Sequence, residues 1–495
     1  MYEYIVAGVL VIFTYLFWKK SRTSKLPPGP ICLPVIGNLH NVSFDSNFTS
    51  KMQNLHKKHG PIISLSFIGL NIWDVWIDSY EMIREVLHDS RFANRTIFGL
   101  FEFLGNGYGV AFSSGEVSRA KRRLVLTTLR HFGVGKTVFA QGIEQQIEMM
   151  LQHIETKRRE NRPLYLQGVM AMTTNNVIMK LLFDISNEFD DPNFVQSHLR
   201  LNRVFYLFNP TLLIWLLPYW ISRHMAQTKE LKELRFGFIN EMKEFFEARK
   251  PKDEKEFLTE EPICVADYIW RDLMQYKNEA YPFPEHDIPF ILTDMFMAGQ
   301  ETTTMTLSWA IMHMMYHPDI QDKIYEELKA EFPDKSQIIP LSGLNTCDFT
   351  RATIQEVQRV TPVLFSTIDH TASETVEDFH GFRIPKGTRM MPNLSPMYHN
   401  PKLWKFPDDF NPKNFLDDEG YSGKFEKNMY LMPFSVGTRA CPGENIAKME
   451  LFLVFANILR RYKVTPAGGK LPNMAPHVGF VNEPEYYEVN VEPRD

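Results

Sequence analysis

FSVGTRACPG, residues 434–443, sets one of the chain's four cysteines between an arginine-alanine step and a Pro-Gly pair. The residues that follow, ENIAKMELFLVFANILRRY, predict an amphipathic helix. Pro442 suits the first helical position. The spacing therefore predicts Cys441 at a helix N-terminus, where free N–H groups and the positive dipole end lower a thiol's pKa. Gly437 supplies the turn before it, and Gly443 lets a flat cofactor approach the backbone closely. Phe434 shields the sulfur, and Arg439 offers a fork to an acidic cofactor substituent. An inert buried cysteine is the usual alternative. Against it stand five fixed residues, F-x-x-G-x-R-x-C-x-G, a pattern that a whole chain should match by chance in about one case in ten thousand.

The rest of the composition narrows the field. With 495 residues the chain has ample length for a large core, and its formal net charge of −5 speaks against a nucleic-acid partner. Cys32, Cys264 and Cys347 are as isolated as Cys441, and no CxxC occurs, which excludes a disulfide framework and a zinc site and points to a reducing compartment.

At the N-terminus, YIVAGVLVIFTYLFW (4–18) is uncharged and is followed by Lys19, Lys20, Arg22 and Lys25. A cleaved signal peptide carries its positive charge before the apolar run, so an uncleaved anchor with a cytosolic body is expected, and contact with membrane lipid follows. KLPPGPICLPVIGN (25–38) is too proline-rich for a helix and reads as a stiff connector. The expected organisation is an anchor over 1–20, a basic flank and proline-rich hinge over 21–38, and a catalytic domain over 39–495. Residues 61–78 predict a hairpin, and helical patterns cover 116–131, 141–160, 231–249, 289–316 and 320–331. Short strands return over 375–387, and 250–262 reads as a polar surface loop. TLLIWLLPYWI (211–221), broken by Pro218, reads either as a core helix or as a surface element touching the bilayer. The fold class is mainly α with a small β portion.

The cysteine segment resembles the heme-binding signature of the cytochromes P450, the heme-thiolate monooxygenases. Other segments resemble that family in its own order: the proline hinge, AGQETT (298–303), EVQR (356–359), GFRIPKGT (381–388) and FPDDFNPKNF (406–415). The resemblance implies a cytochrome P450 fold behind an N-terminal membrane-anchor helix, heme b (iron protoporphyrin IX) as cofactor and Cys441 as axial ligand to its iron. A cysteine thiolate on heme iron favours O–O cleavage. Thr302 and Glu301 are then the oxygen-activating pair, with Ala298 and Gly299 leaving room for O2 and with Asp294 seven residues before Glu301 on one helical face. Arg439, Arg122 and His370 hold propionates, and Phe434 and Gly443 belong to the cofactor cradle. Glu356 and Arg359 form a structural ion pair.

Two departures stand out. Ser118 replaces the tryptophan of the family's WxxxR segment, and Asn414 stands where the ion-pair network usually has an arginine or histidine. The resemblance also implies a substrate pocket using Phe296, Ala298, Val363, Leu364 and Phe365, the 98–112 loop, the 201–221 region and a turn at 478–480. These are mostly apolar, so a lipophilic small molecule (steroid, fatty acid or xenobiotic) is expected. The basic run Arg119, Lys121, Arg122, Arg123, Arg130 and Lys136 is either a solvated face or the docking side for an NADPH-dependent flavoprotein reductase, with cytochrome b5 as a further donor and the endoplasmic reticulum membrane as location. GNGYGV (105–110) and GVGKT (133–137) lack the glycines of dinucleotide and phosphate loops, so electrons arrive from another protein. Two rivals remain: a heme-thiolate isomerase or dehydratase acting on lipid peroxides, and a non-catalytic heme-binding protein.

Overall fold

A computed structural model describes residues 25–33, 37–38, 40–41, 48–66, 73–95, 107–133, 137–208, 222–276, 281–417 and 423–495, with Val6, Gly8–Leu10 and Phe13 at the N-terminal end. The expected hairpin is present as β1 (Ile62–Ser66) and β2 (Trp73–Ile77), antiparallel with Ile62 opposite Ile77. Two further strands extend it, β3 (His370–Thr371) and β6 (Arg389–Pro392), in the order β1-β2-β6-β3, with β2 and β6 parallel. β4 (Val376–Phe379) and β5 (Phe382–Ile384) form the short ladder expected over 375–387. The proline segment is tied to this sheet, because the Ser64 N–H donates to the Pro28 carbonyl (2.8 Å) and the Ser64 hydroxyl to that of Pro27 (2.6 Å).

The helical layer consists of α1 (Phe48–His59), α2 (Tyr80–His88), α3 (Gly115–His131), α4 (Thr137–Arg159), α5 (Leu166–Phe183), α6 (Pro192–Leu207), α7 (Ala226–Ala248), α8 (Val265–Gln275), α9 (Ile288–Tyr316), α10 (Pro318–Glu331), α11 (Asp348–Val360) and α12 (Glu444–Arg461). The five helices expected from periodicity are all there, with ends displaced by up to five residues. Six more, α1, α2, α5, α6, α8 and α11, fall outside the expected spans. α5 shows why: nearly all its residues are buried, so its sequence carries no polar stripe to betray a 3.6-residue period. α5 packs along α9, which is itself buried on almost every face, and a hydroxyl pair, Thr174 with Thr304 at 2.8 Å, ties the two. α12 also packs against α9. It is buried almost throughout and not amphipathic, which corrects the reading of its sequence, since its polar residues Asn457 and Arg460 turn inward onto carbonyls.

Residues 250–262 are a largely exposed loop with one short helical turn, as expected. The 211–221 patch and most of the 4–18 run lie outside the described residues. Among the described residues no helix is long and apolar enough to cross a membrane.

Outside the cavity described below, the Glu356–Arg359 pair closes on itself. Arg359 Nε and Nη2 donate to the two Glu356 oxygens at 2.8 and 2.7 Å, and its remaining N–H groups reach the carbonyls of Tyr398, Pro407, Phe406 and Asp409. Asn414 completes the network without charge, its amide donating to Glu356 Oε1 (3.1 Å) and its oxygen accepting from the Phe406 N–H (3.0 Å). Burial still holds the Glu356 pKa up at about 7, against the pull of Arg359.

Candidate active site

The cysteine loop meets α9 across a cavity of about 330 Å³ lined mainly by apolar atoms. Its local geometry follows from the glycine. Gly437 has φ +77°, and a Cβ there would sit 2.0 Å from the Leu87 carbonyl oxygen of α2, so no side chain fits. The loop is closed by the Cys441 N–H donating to the Phe434 carbonyl at 2.8 Å.

The helix begins later than expected. Gly443 is the N-cap of α12 and Glu444 its first residue, so Pro442 stands in the preceding turn rather than at the first helical position. The Cys441 thiol opens onto the cavity and is otherwise enclosed by protein. That enclosure pushes its pKa up, against the opposing pull of the Gly443 N–H and the Arg122 charge. The expected lowering is thus present as a contribution but is outweighed by desolvation in the free protein. A metal cation deprotonates a coordinating thiol outright.

Basic groups line the same cavity beside the cysteine. Arg122 Nη2 donates to the Ala440 carbonyl, and Arg439 donates to the carbonyls of Ala93 (2.8 Å, through Nε) and Ser113. Arg95, absent from the sequence expectations, donates to Ala111, Ile368 and Asp369 carbonyls. Burial and mutual repulsion push the pKa of Arg95 down to about 10 and that of Arg439 to about 9. His370 Nδ1 donates to the Phe92 carbonyl (3.0 Å), and burial with the nearby Arg95 and Arg439 lowers its pKa to about 3, leaving the free ring neutral. Among the described residues, all hydrogen bonds of these guanidiniums go to neutral carbonyls. Three like charges crowded into an apolar cavity beside a thiol are a donor set for a flat, dianionic, metal-carrying group, so the residues fit heme b.

On the α9 wall the cavity is lined by Asp294, Met295, Met297, Ala298, Gly299, Thr302, Thr303 and Thr306. That lining separates the expected pair. Thr302 faces the cavity, its hydroxyl donating to the Ala298 carbonyl at 2.8 Å. Glu301 does not line it. One residue is about 100° of helix, and the Glu301 carboxyl turns instead toward Glu483 and Tyr165. There it is buried, its Oε2 without a partner among the described residues, and desolvation with the Glu483 charge raises its pKa to about 8. Asp294 and Glu301 therefore do not share a functional face, contrary to the seven-residue reading. The carboxyl next to a hydroxyl inside the cavity is Glu450 of α12, hydrogen-bonded to Thr303 and held protonated by burial far above its ordinary range.

Among the expected pocket residues, Ala298, Val363 and Leu364 line the cavity, as do Phe205, Phe208 and Phe480. Phe296 does not; its ring turns toward Phe238 of α7, 5.8 Å away. Phe365 packs instead with Met52, Ile63, Leu65 and Trp76 beneath the sheet. Residues 98–106 lie outside the described residues.

The basic run divides. Lys121 is fully buried, paired with Asp287 at 2.5 Å and donating to the Gly107 carbonyl, and Arg122 turns into the cavity. Arg119, Arg123 and Arg130 remain exposed, and Lys136 lies outside the described residues. Helical periodicity sends a run of six basic positions to more than one face.

The sequence pattern described as Cytochrome P450 matches residues 27–491. The chain belongs to the cytochrome P450 family. Cytochrome P450 2G1 of Oryctolagus cuniculus is 31% identical over 485 residues, 95% of this chain and 94% of that protein. Cytochrome P450 2C23 of Rattus norvegicus is 29% identical over 502 residues, covering 99% and 98%. Cytochrome P450 2A3 of Rattus norvegicus is 30% identical over 504 residues, covering 98% and 97%. The mainly helical body with its small sheets is the cytochrome P450 fold. The chain is accordingly a heme-thiolate monooxygenase: with heme b it inserts one atom of O2 into a lipophilic small molecule, using electrons from a redox partner.

Three site residues had no place in the sequence expectations. Arg95 left no signal, because two of the three carbonyls it reaches belong to residues more than 270 positions away. Glu450 interrupts the apolar run MELFLVF, and Arg235 sits on the apolar stripe of α7 with Leu231, Phe238 and Met242. A charge inside an apolar stripe is a legible warning.

Proposed function

We propose that Cys441 is the axial thiolate ligand of heme iron, and that Arg439, Arg122 and His370, with Arg95 beside them, receive the propionates. The observation that carries this reading is the opening of the Cys441 thiol and three carbonyl-bonded arginines onto one apolar cavity. Bound heme supplies the reductive activation of dioxygen and the insertion of oxygen into a C–H bond, the second oxygen atom leaving as water with two protons and two electrons.

The chain's own residues then have separate tasks. Thr302 holds a hydroxyl proton at the cavity wall, now engaged with the Ala298 carbonyl. Glu450 stores a proton on a buried carboxyl beside Thr303. Glu301 reaches this system only by turning from its present side of the helix, so its part in proton delivery is through rearrangement. Phe434 lies at the cavity wall beside the thiol and keeps water from it, and Gly443 leaves the nearest approach to the sulfur open. Glu356 with Arg359 supports the loop structure and takes no part in the chemistry.

The reading extends to an N-terminal anchor over 1–20, a hinge over 21–38 and a catalytic domain over 39–495, held on the cytosolic side of the endoplasmic reticulum membrane. In its favour, the described residues Val6, Val9, Leu10 and Phe13 of the apolar run are helical and exposed. The electron donor is an NADPH-dependent flavoprotein reductase, with cytochrome b5 as a second donor, approaching the exposed Arg123 and Arg130.

Substituting Cys441→Ser tests the ligand assignment. The reduced carbon monoxide adduct should lose its red-shifted Soret band, whereas a retained band would mean that another residue ligates the iron.

A further inference from the structure

Glu301 is a buried acid that does not line the cavity, and the groups around it lie on another side of α9. The helical face that carries it continues through Met305 and Trp309, four and eight residues on. Gln167 of α5 donates to the Met305 sulfur (3.8 Å), and the Trp309 indole N–H donates to the Asn482 carbonyl (2.9 Å). Asn482 is fixed in turn, its N–H donating to the Val363 carbonyl (2.8 Å) and its amide to that of Pro362 (3.1 Å). The next residue is a second acid, Glu483.

Asn482–Glu483 is one strand of a small hairpin, paired antiparallel with His477–Val478 so that His477 stands opposite Glu483. Directly opposed residues of such a pair project to the same side. The three titratable groups are graded in exposure. His477 is exposed, Glu483 is half-buried, and Glu301 is 1% exposed with its Oε2 lacking a partner among the described residues. Charge links each to the next. Burial and then the Glu483 charge raise the Glu301 pKa to about 8, and burial raises that of Glu483 against the pull of His477. Among the described residues, the other titratable groups beside them are the phenols of Tyr165, Tyr486 and Tyr487, held protonated chiefly by burial.

We propose that Glu483, with His477 at the surface, is the proton inlet of Glu301, so that protons reach the Thr302 wall from the hairpin side of α9. The inference rests on the monooxygenase reading and deepens it. One turnover places one atom of O2 in a C–H bond and releases the other as water, taking up two protons and two electrons. The redox partner supplies the electrons, and bulk water supplies the protons. A wholly buried carboxyl that gives up a proton needs a wetter group beside it to regain one. Glu301 turns toward Thr302, releases its proton, and is reloaded on swinging back to Glu483, which exchanges with solvent through His477. Neighbouring carboxyls resist double ionisation, so Glu483 also keeps Glu301 loaded near neutral pH. Glu483 acts through Glu301 and is a positioning residue in this scheme.

The test begins with infrared difference spectra of the full-length heme-loaded enzyme, the Glu301 carboxyl stretch being identified by its loss in Glu301→Gln. That stretch should titrate near pH 8 in the wild type. In Glu483→Gln the neighbouring charge is gone, so the midpoint should move to lower pH. A midpoint that stays in place would overturn the coupling. Turnover is then followed with testosterone or dodecanoate, whichever shifts the wild-type Soret band. With NADPH and a flavoprotein reductase, product formation by Glu483→Leu should fall by about tenfold, with more of the oxygen released as hydrogen peroxide. Glu483→Asp should restore most of it. Turnover driven by added hydrogen peroxide brings oxygen, electrons and protons together, and should fall far less. Equal losses in the two assays would make Glu483 a residue that only shapes the pocket, and undiminished NADPH-driven turnover in Glu483→Leu would place the proton inlet elsewhere; either result overturns the proposal. The carbon monoxide band of each preparation separates the two readings. A normal band with either result defeats this proposal alone, and a missing wild-type band defeats the heme-thiolate reading beneath it.

Discussion

Arg359 and Arg235 are both buried, both lie on helices and both face an acid, yet their surroundings are opposites. The N–H groups of Arg359 are answered by Glu356 and by four carbonyls. Arg235 is balanced by Asp294 at 3.7 Å, while its Nε and Nη2 are buried with no hydrogen-bond partner among the described residues. A saturated buried charge stabilises architecture and has nothing left to give a ligand. An unsaturated one is a cost to the fold. The same division separates Glu356, bonded on both oxygens, from Glu301, whose Oε2 has no partner among the described residues.

The comparison is broken most severely by removing the arginine of the saturated network. Arg359→Leu leaves Glu356 buried without its partner and should cost about 3–5 kcal/mol in urea unfolding. A loss within experimental error would mean that the network is not structural. An intermediate effect is expected at Glu301. Its folded pKa of about 8 lies above the ordinary 4.5, so the folded chain holds more protons than the unfolded one between those values. Stability from this group is full below about pH 4.5 and declines as pH rises toward 8. Glu301→Gln should flatten that slope and raise stability at neutral pH; an unchanged profile would place the carboxyl in water. The smallest change belongs to Asn414→Ala, about 1 kcal/mol, because Arg359 still neutralises Glu356 when the amide is gone. A loss as large as that of Arg359→Leu would show that the uncharged residue carries the network.

Asn414 also shows how far a sequence departure can be read. Its lack of charge at a position usually occupied by a cation raises doubt about the network, and the structure answers it with four hydrogen bonds from one amide side chain. The Cys441 loop was legible almost entirely, because its function depends on neighbours in the chain: Gly437 for the turn, Phe434 for the closing carbonyl. The helix start was not, since Gly443 takes the cap and shifts the first turn beyond Pro442. Phe296 and Glu301 were misread for a common reason. Both flank cavity-lining residues in sequence, but their own side chains turn off that face, Phe296 toward Phe238 and Glu301 toward Glu483.

The sequence alone determined the cysteine, its glycine-bounded loop, the long helices with a polar stripe and the family to which their order belongs. These depend on residue type at short spacing, where local sterics and hydrogen bonding leave few choices. Only the tertiary structure decided which side chains share the cavity. Arg95, Arg235, Asp294 and Glu450 come from four separate segments, and whether each charge is answered depends on what the fold places opposite it, which no local pattern encodes.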